Sequence, residues 1–172
     1  MIVTVVAGNP KAESRTLDAA KALAAALTPD HTHVRSETID VITLGAGLLG
    51  WGDTAVAEAV ATVAGSDLVI VASPTFKATY TGVTKLFLDQ FAGDTGLKDV
   101  VAVPLMLGAG PAHAMAPELL LKPVLVELGA VTPAPGLYLM DSSYKTDSRI
   151  DDYVGRWGKA IRASLRSRPS AP

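Results

Sequence analysis

The sequence predicts an α/β fold: a five-stranded parallel sheet with helices on both faces. Three observations carry this. Strand-like and helix-like segments alternate five times along the chain. The strand-like segments are short, unbroken apolar runs rich in β-branched residues, the pattern of strands buried on both faces. The chain has 172 residues, 49% apolar and 19% charged, which suits one globular domain with a substantial core.

The elements follow in order. Ile2, Val3, Thr4, Val5 and Val6 form the first strand. A helix from about residue 14 to 27 places Leu17, Ala20, Leu23, Ala24 and Leu27 on one stripe, and Thr28, Pro29 and Asp30 end it. A strand is expected over 33–39. A connection rich in glycine (Gly45, Gly47, Gly50, Gly52) then carries Trp51. Asp53 or Thr54 can cap a second helix that runs to about Ala64. The clearest strand covers 67–72 and ends at Ser73-Pro74. A third helix is expected from Thr81 to Phe91, a fourth strand over 100–107, and a fourth helix from Ala112 to Leu128 that Gly129 ends. A last strand lies over 136–140. The final helix, from about 148 to 165, has Ile150, Tyr153, Val154, Trp157, Ile161 and Leu165 on one stripe. One domain over 1–166 is expected, with residues 167–172 a disordered tail.

Composition narrows the function. The net charge of -2 calls for neither nucleic acid nor an anionic membrane as partner. The absence of cysteine excludes disulfides, thiolate metal sites and a cysteine nucleophile. No apolar stretch reaches the length of a membrane span, and the N-terminal apolar run is too short for a signal peptide. A cytoplasmic protein is expected.

Two doubly wound strand orders are compatible with this pattern: a flavodoxin-like sheet, ordered 2-1-3-4-5, and a truncated Rossmann sheet. Five strands in this length favour the first. In both, ligands bind beyond the carboxyl ends of the strands, so the loops after the first, third and fourth strands matter most.

The first of these loops holds Asn9, Lys11, Ser14, Arg15 and Thr16 at a helix start. A helix N-terminus offers unpaired N–H groups, and the hydroxyls and cations suit an anion. The same residues also suit an ordinary capped turn with two solvated cations. The loop contains neither a P-loop nor the glycine fingerprint of dinucleotide folds. The second loop, from Ser73 to Gly82, carries Phe76 and Tyr80 in a chain only 5% aromatic. Such rings need a ligand, a partner chain or the core to cover them, and Gly82 is expected to permit close backbone approach. The third loop, Gly108-Ala109-Gly110-Pro111-Ala112-His113, is thin enough for a flat ring to lie against it. Together the three suit a flat phosphorylated cofactor. Asp141, Ser142, Ser143 and Tyr144, after the last strand, can face a ligand or form an ordinary loop, and the ordinary loop is the favoured reading.

These residues resemble the NADPH-dependent FMN reductases of the flavodoxin-like superfamily. The resemblance rests on Gly8-Asn9-Pro10-Lys11 with Ser14-Arg15-Thr16, on the stretch from Ser73 to Asp89, and on Gly108 to His113 followed by Leu121-Lys122-Pro123. It implies FMN with its phosphate on Ser14, Arg15 and Thr16, Asn9 and Lys11 nearby. It further implies Pro74, Thr75, Phe76 and Lys77 along the ribityl chain and ring, and Gly108, Gly110 and His113 at the ring's other edge. Hydride would come from NADPH or NADH, with no catalytic side chain. Reduced flavin would serve a partner monooxygenase or another acceptor, and the chain would form a homodimer or homotetramer. Asn9 and Lys11 stand where that family often has Ser and Arg, and Lys lacks the planar fork of Arg. A quinone, azo or metal reductase and a non-enzymatic flavodoxin-like electron carrier are the alternatives. Without flavin, the loops would suit a nucleotide- or phosphosugar-binding domain.

Overall fold

The computed structural model describes residues 1–29 and 33–166. The strands are β1 (Ile2–Ala7), β2 (Arg35–Asp40), β3 (Leu68–Pro74), β4 (Val101–Gly108) and β5 (Leu137–Met140). The α-helices are α1 (Arg15–Leu27), α2 (Thr54–Ala64), α3 (Gly82–Leu88), α4 (Lys122–Glu127) and α5 (Arg149–Arg166). The sheet order is β2-β1-β3-β4-β5 with every pair parallel, the flavodoxin-like order rather than the Rossmann one. Asp30 and the expected tail at 167–172 lie outside the described residues.

Strand periodicity divides the core into two layers. Val3, Val5, Ile70 and Val103 face α1 and α5, where Leu17, Leu23, Leu27 and Ile161 are buried. Val6, Val69, Val71 and Met106 face the other side, against Val56, Phe87, Leu121 and Leu125. β3 and β4 are buried throughout, as their apolar runs require. β2, with the sequence RSETID, is a half-exposed edge strand.

Side chains set the helix starts. Ser14 accepts the Leu17 N–H, Asp53 the Val56 N–H and Thr81 the Thr84 N–H. Gly129, at φ +90°, follows α4, and a Cβ there would lie 2.1 Å from the Asp94 carbonyl oxygen.

Within the glycine-rich connection, Val41–Leu49 winds as a 3-10 helix with a break at Gly45 (φ +57°), burying Val41 and Leu48. Two expectations change. The third helix ends at Leu88 rather than Phe91. The last turn tightens there, with Gln90 N–H on Phe87 O and Phe91 N–H on Leu88 O. The expected fourth helix breaks into a 3-10 turn (Pro111–His113), a π turn (Pro117–Leu121) and the short α4. Pro117 and Pro123 have no N–H to give, and Lys122 N–H reaches back five residues to the Pro117 carbonyl.

Candidate functional site

Register brings the carboxyl ends of β1, β3, β4 and β5 side by side. Ala7 pairs with Ala72, Ala72 with Leu105, and Leu107 with Leu139. The loops that leave these ends enclose a cleft of about 440 Å³. The first loop lines it with Asn9, Lys11, Ser14, Arg15 and Thr16, the second with Pro74, Thr75 and Phe76, and the third with Gly108. Glu13, Leu107, Ala109 and Asp141 also line it.

The first loop is held by its own polar atoms. Asn9 Nδ2 donates to Thr16 Oγ1 (3.0 Å), and Asn9 Oδ1 accepts the Lys11 N–H (2.9 Å). Glu13, at φ +51°, gives its N–H to Asp40 Oδ2 (2.8 Å). Gly8 closes the turn from below. A Cβ there would lie 2.0 Å from Thr84 Oγ1 and 2.8 Å from Thr84 Cα. Its carbonyl accepts the hydroxyls of Thr81 (2.5 Å) and Thr84 (3.0 Å). The loop is therefore clamped onto the first turn of α3. Close backbone approach belongs to Gly8; beside Gly82, where it was expected, a Cβ would meet nothing within 4 Å.

Above this base, the α1 backbone N–H groups of Arg15 and Thr16 have no acceptor within the helix. A cation at Arg15 opposes the helix dipole there. Its guanidinium is bound to Asp141, with Nη2 3.3 Å from Oδ2 and Nη1 donating to the backbone carbonyl (3.1 Å). Behind it, Asp18 takes hydrogen bonds from Lys145 Nζ and Tyr144 Oη, both 2.8 Å. Those two donors, Lys145 foremost, hold the Asp18 carboxyl below its ordinary value.

The second loop is built differently. Phe76 and Thr79 exchange backbone hydrogen bonds across a two-residue turn, in which Lys77 (φ +50°) and Ala78 (φ +72°) are both left-handed. Phe76 is 53% exposed, whereas Tyr80 packs against the core. The Thr75 hydroxyl is buried with no hydrogen-bond partner. In the third loop, a Cβ on Gly108 would lie 1.9 Å from Tyr138 Oη, which donates to the Gly110 carbonyl (2.7 Å).

Three expected residues stand outside the cleft lining. Lys77 sits at the apex of its turn, and Gly110 is turned by its bond to Tyr138. His113 lines a separate cavity of about 200 Å³ with Ala78, Met115 and Leu119. Asp141, read from sequence as part of an ordinary loop, lines the cleft: its N–H donates to the Gly108 carbonyl (3.0 Å). An acid directly after a strand end was the available signal. Thr84 and Tyr138, which shape the loops from beneath, gave none. Among the described residues, no group of three or more His, Asp or Glu could hold a metal, and no helix is long and apolar enough to cross a membrane.

The profile of the NADPH-dependent FMN reductases matches residues 1–145. The chain belongs to that family. It is 39% identical over 91 residues to an FMN reductase (NADPH) of Escherichia coli, covering 53% of this chain and 44% of that protein. Over 121 residues it is 35% identical to an FMN reductase (NADPH) of Pseudomonas putida, covering 64% of this chain and 61% of that one. The chain thus spans about half the length of the curated relatives it matches. The apo crystal structure of an NADH:FMN oxidoreductase superposes with a TM-score of 0.82 at 29% identity, covering 99% of this chain and 91% of that one. An archaeal flavodoxin shares the fold alone (TM-score 0.61, 15% identity, covering 96% of this chain and 99% of that one). Within this family frame, the cleft at the carboxyl ends of β1, β3 and β4 is where a doubly wound sheet places its ligand.

Proposed function

We propose that this protein is an NAD(P)H-dependent FMN reductase, carried by a single domain over 1–166. The observation behind this reading is one cleft that joins an anion-suited helix start, an exposed aromatic loop and the third loop at Gly108 and Ala109. Family membership supports the activity. The residues fit the flavin. The free N–H groups of Arg15 and Thr16 with the Arg15 and Lys11 cations suit a phosphate. The unpartnered Thr75 hydroxyl is a polar group the ribityl chain or ring edge can satisfy. Gly108 lines the cleft while the place of its missing Cβ is taken by Tyr138 Oη, so the third loop lies close on the sheet beside the cleft.

Bound there, FMN would supply the two-electron chemistry with NADPH or NADH as hydride donor. The chain's own part is binding and orientation. Ser14, Arg15 and Thr16 hold the phosphate, with Asn9 and Lys11 beside them. Asn9 keeps the Thr16 hydroxyl and the Lys11 backbone in place. Pro74, Thr75 and Phe76 border the ring and shield it from water. Lys77 and His113 stand outside the cleft lining, and this reading gives them no role in proton transfer. The reading extends to a cytoplasmic homodimer or homotetramer that supplies reduced flavin to a monooxygenase. Exposed Met115, Leu119 and Leu120 form an apolar surface suited to self-association.

FMN titration by fluorescence, followed by NADPH and NADH oxidation with and without FMN, tests the reading. Binding at micromolar FMN and flavin-dependent oxidation are expected. A protein that neither binds FMN nor oxidises either nucleotide would sink it.

A further inference from the structure

Two cavities meet at the Arg15–Asp141 pair. Both residues line the cleft, and both line a neighbouring cavity of about 420 Å³ that continues to Tyr144 and Lys145. Two guanidinium nitrogens of Arg15 are engaged, one with the Asp141 carboxylate (3.3 Å) and one with its carbonyl (3.1 Å). Asp141 is itself tied to the third loop through its N–H on Gly108, so its charge stays at the cleft wall. A phosphate at the start of α1 would need the same Arg15 donors and would bring more negative charge beside that carboxylate.

We propose that Asp141 sets the affinity of this site for phosphorylated flavins: its carboxylate is a resident anion that competes with the flavin phosphate for Arg15. The inference rests on the flavin reading above. The pair is partly solvated, with side chains 65% and 31% exposed, so its hold on Arg15 is modest and an incoming dianion can displace it. The consequence is a site that binds FMN less tightly than its cations would allow and discriminates less between FMN and riboflavin.

The test is fluorescence titration of FMN and riboflavin on the wild type, Asp141→Asn, Asp141→Ser and Asp141→Asn combined with Arg15→Ala, each first checked for folding by circular dichroism. Both single Asp141 variants should bind FMN on the order of five-fold more tightly and leave riboflavin within about two-fold. Added salt should shrink the FMN gain, and Arg15→Ala should remove most of it. Unchanged or weaker FMN binding in both single variants would overturn the proposal. If the wild type binds no flavin, the functional reading fails, and inorganic phosphate replaces FMN as the probe. A larger phosphate-induced rise in Tm for Asp141→Asn than for the wild type then upholds the competition, and an equal rise refutes it.

Discussion

The two ends of the cleft are built in opposite ways. At the first loop most side chains are tied within the chain, Asn9 to Thr16 and Lys11, Asp40 to the Glu13 N–H, Arg15 to Asp141, although Asp40 Oδ1 is buried without a partner and Glu13 is left-handed. At the second loop the backbone is bonded, yet the side chains are less tied. Thr75 has a buried hydroxyl without a partner, Phe76 is exposed, and two non-glycine residues hold left-handed turn positions. The first end is pre-organised, so binding there exchanges one set of contacts for another. The second carries costs in polar satisfaction, exposure and backbone strain, and such costs persist where function uses them.

The largest change should come from breaking the base of the ordered end. Gly8→Ala places a methyl against the Thr84 hydroxyl and backbone. It should destabilise the protein by about 3 kcal/mol, with the first loop displaced and flavin binding lost. Chemical denaturation with parallel FMN titration reads both. Near-wild-type stability would mean that Gly8 is not clamped on α3.

Thr75→Val sharpens the contrast from the other end. Removing a buried hydroxyl that has no partner should raise stability by roughly 1 kcal/mol. The same change should weaken FMN binding several-fold, so stability and affinity move in opposite directions. Loss of both together would show that the hydroxyl has a structural partner instead.

The smallest effect is expected at the turn. Ala78→Gly relieves one left-handed residue and should stabilise the fold by somewhat under 1 kcal/mol in a thermal melt. Destabilisation would show that the turn is unstrained.

The sequence made the fold legible because periodicity reports burial directly. The unbroken runs of β3 and β4, and the α1 stripe of Leu17, Leu23 and Leu27, led to the sheet, while its order followed from five strands in this chain length. The broken fourth helix was less legible, because a helical apolar period persisted across Pro117 and Pro123 while those residues withheld their N–H groups. At the site, the lining residues of the first loop were readable from a helix start that combined hydroxyls with cations. Gly8 on Thr84 and Gly108 under Tyr138 were not, because they join residues 76 and 30 positions apart, and close packing across such separations leaves no local pattern. Asp141 was visible as a residue but not as a partner of Arg15, which lies 126 positions earlier.

The start of α1 is proposed to receive a flavin phosphate. Arg15→Ala, titrated with FMN and with riboflavin, isolates that contact, because the two ligands differ only in the phosphate. FMN affinity should fall by about ten-fold or more while riboflavin affinity changes little. Equal losses for the two flavins would contradict the assignment.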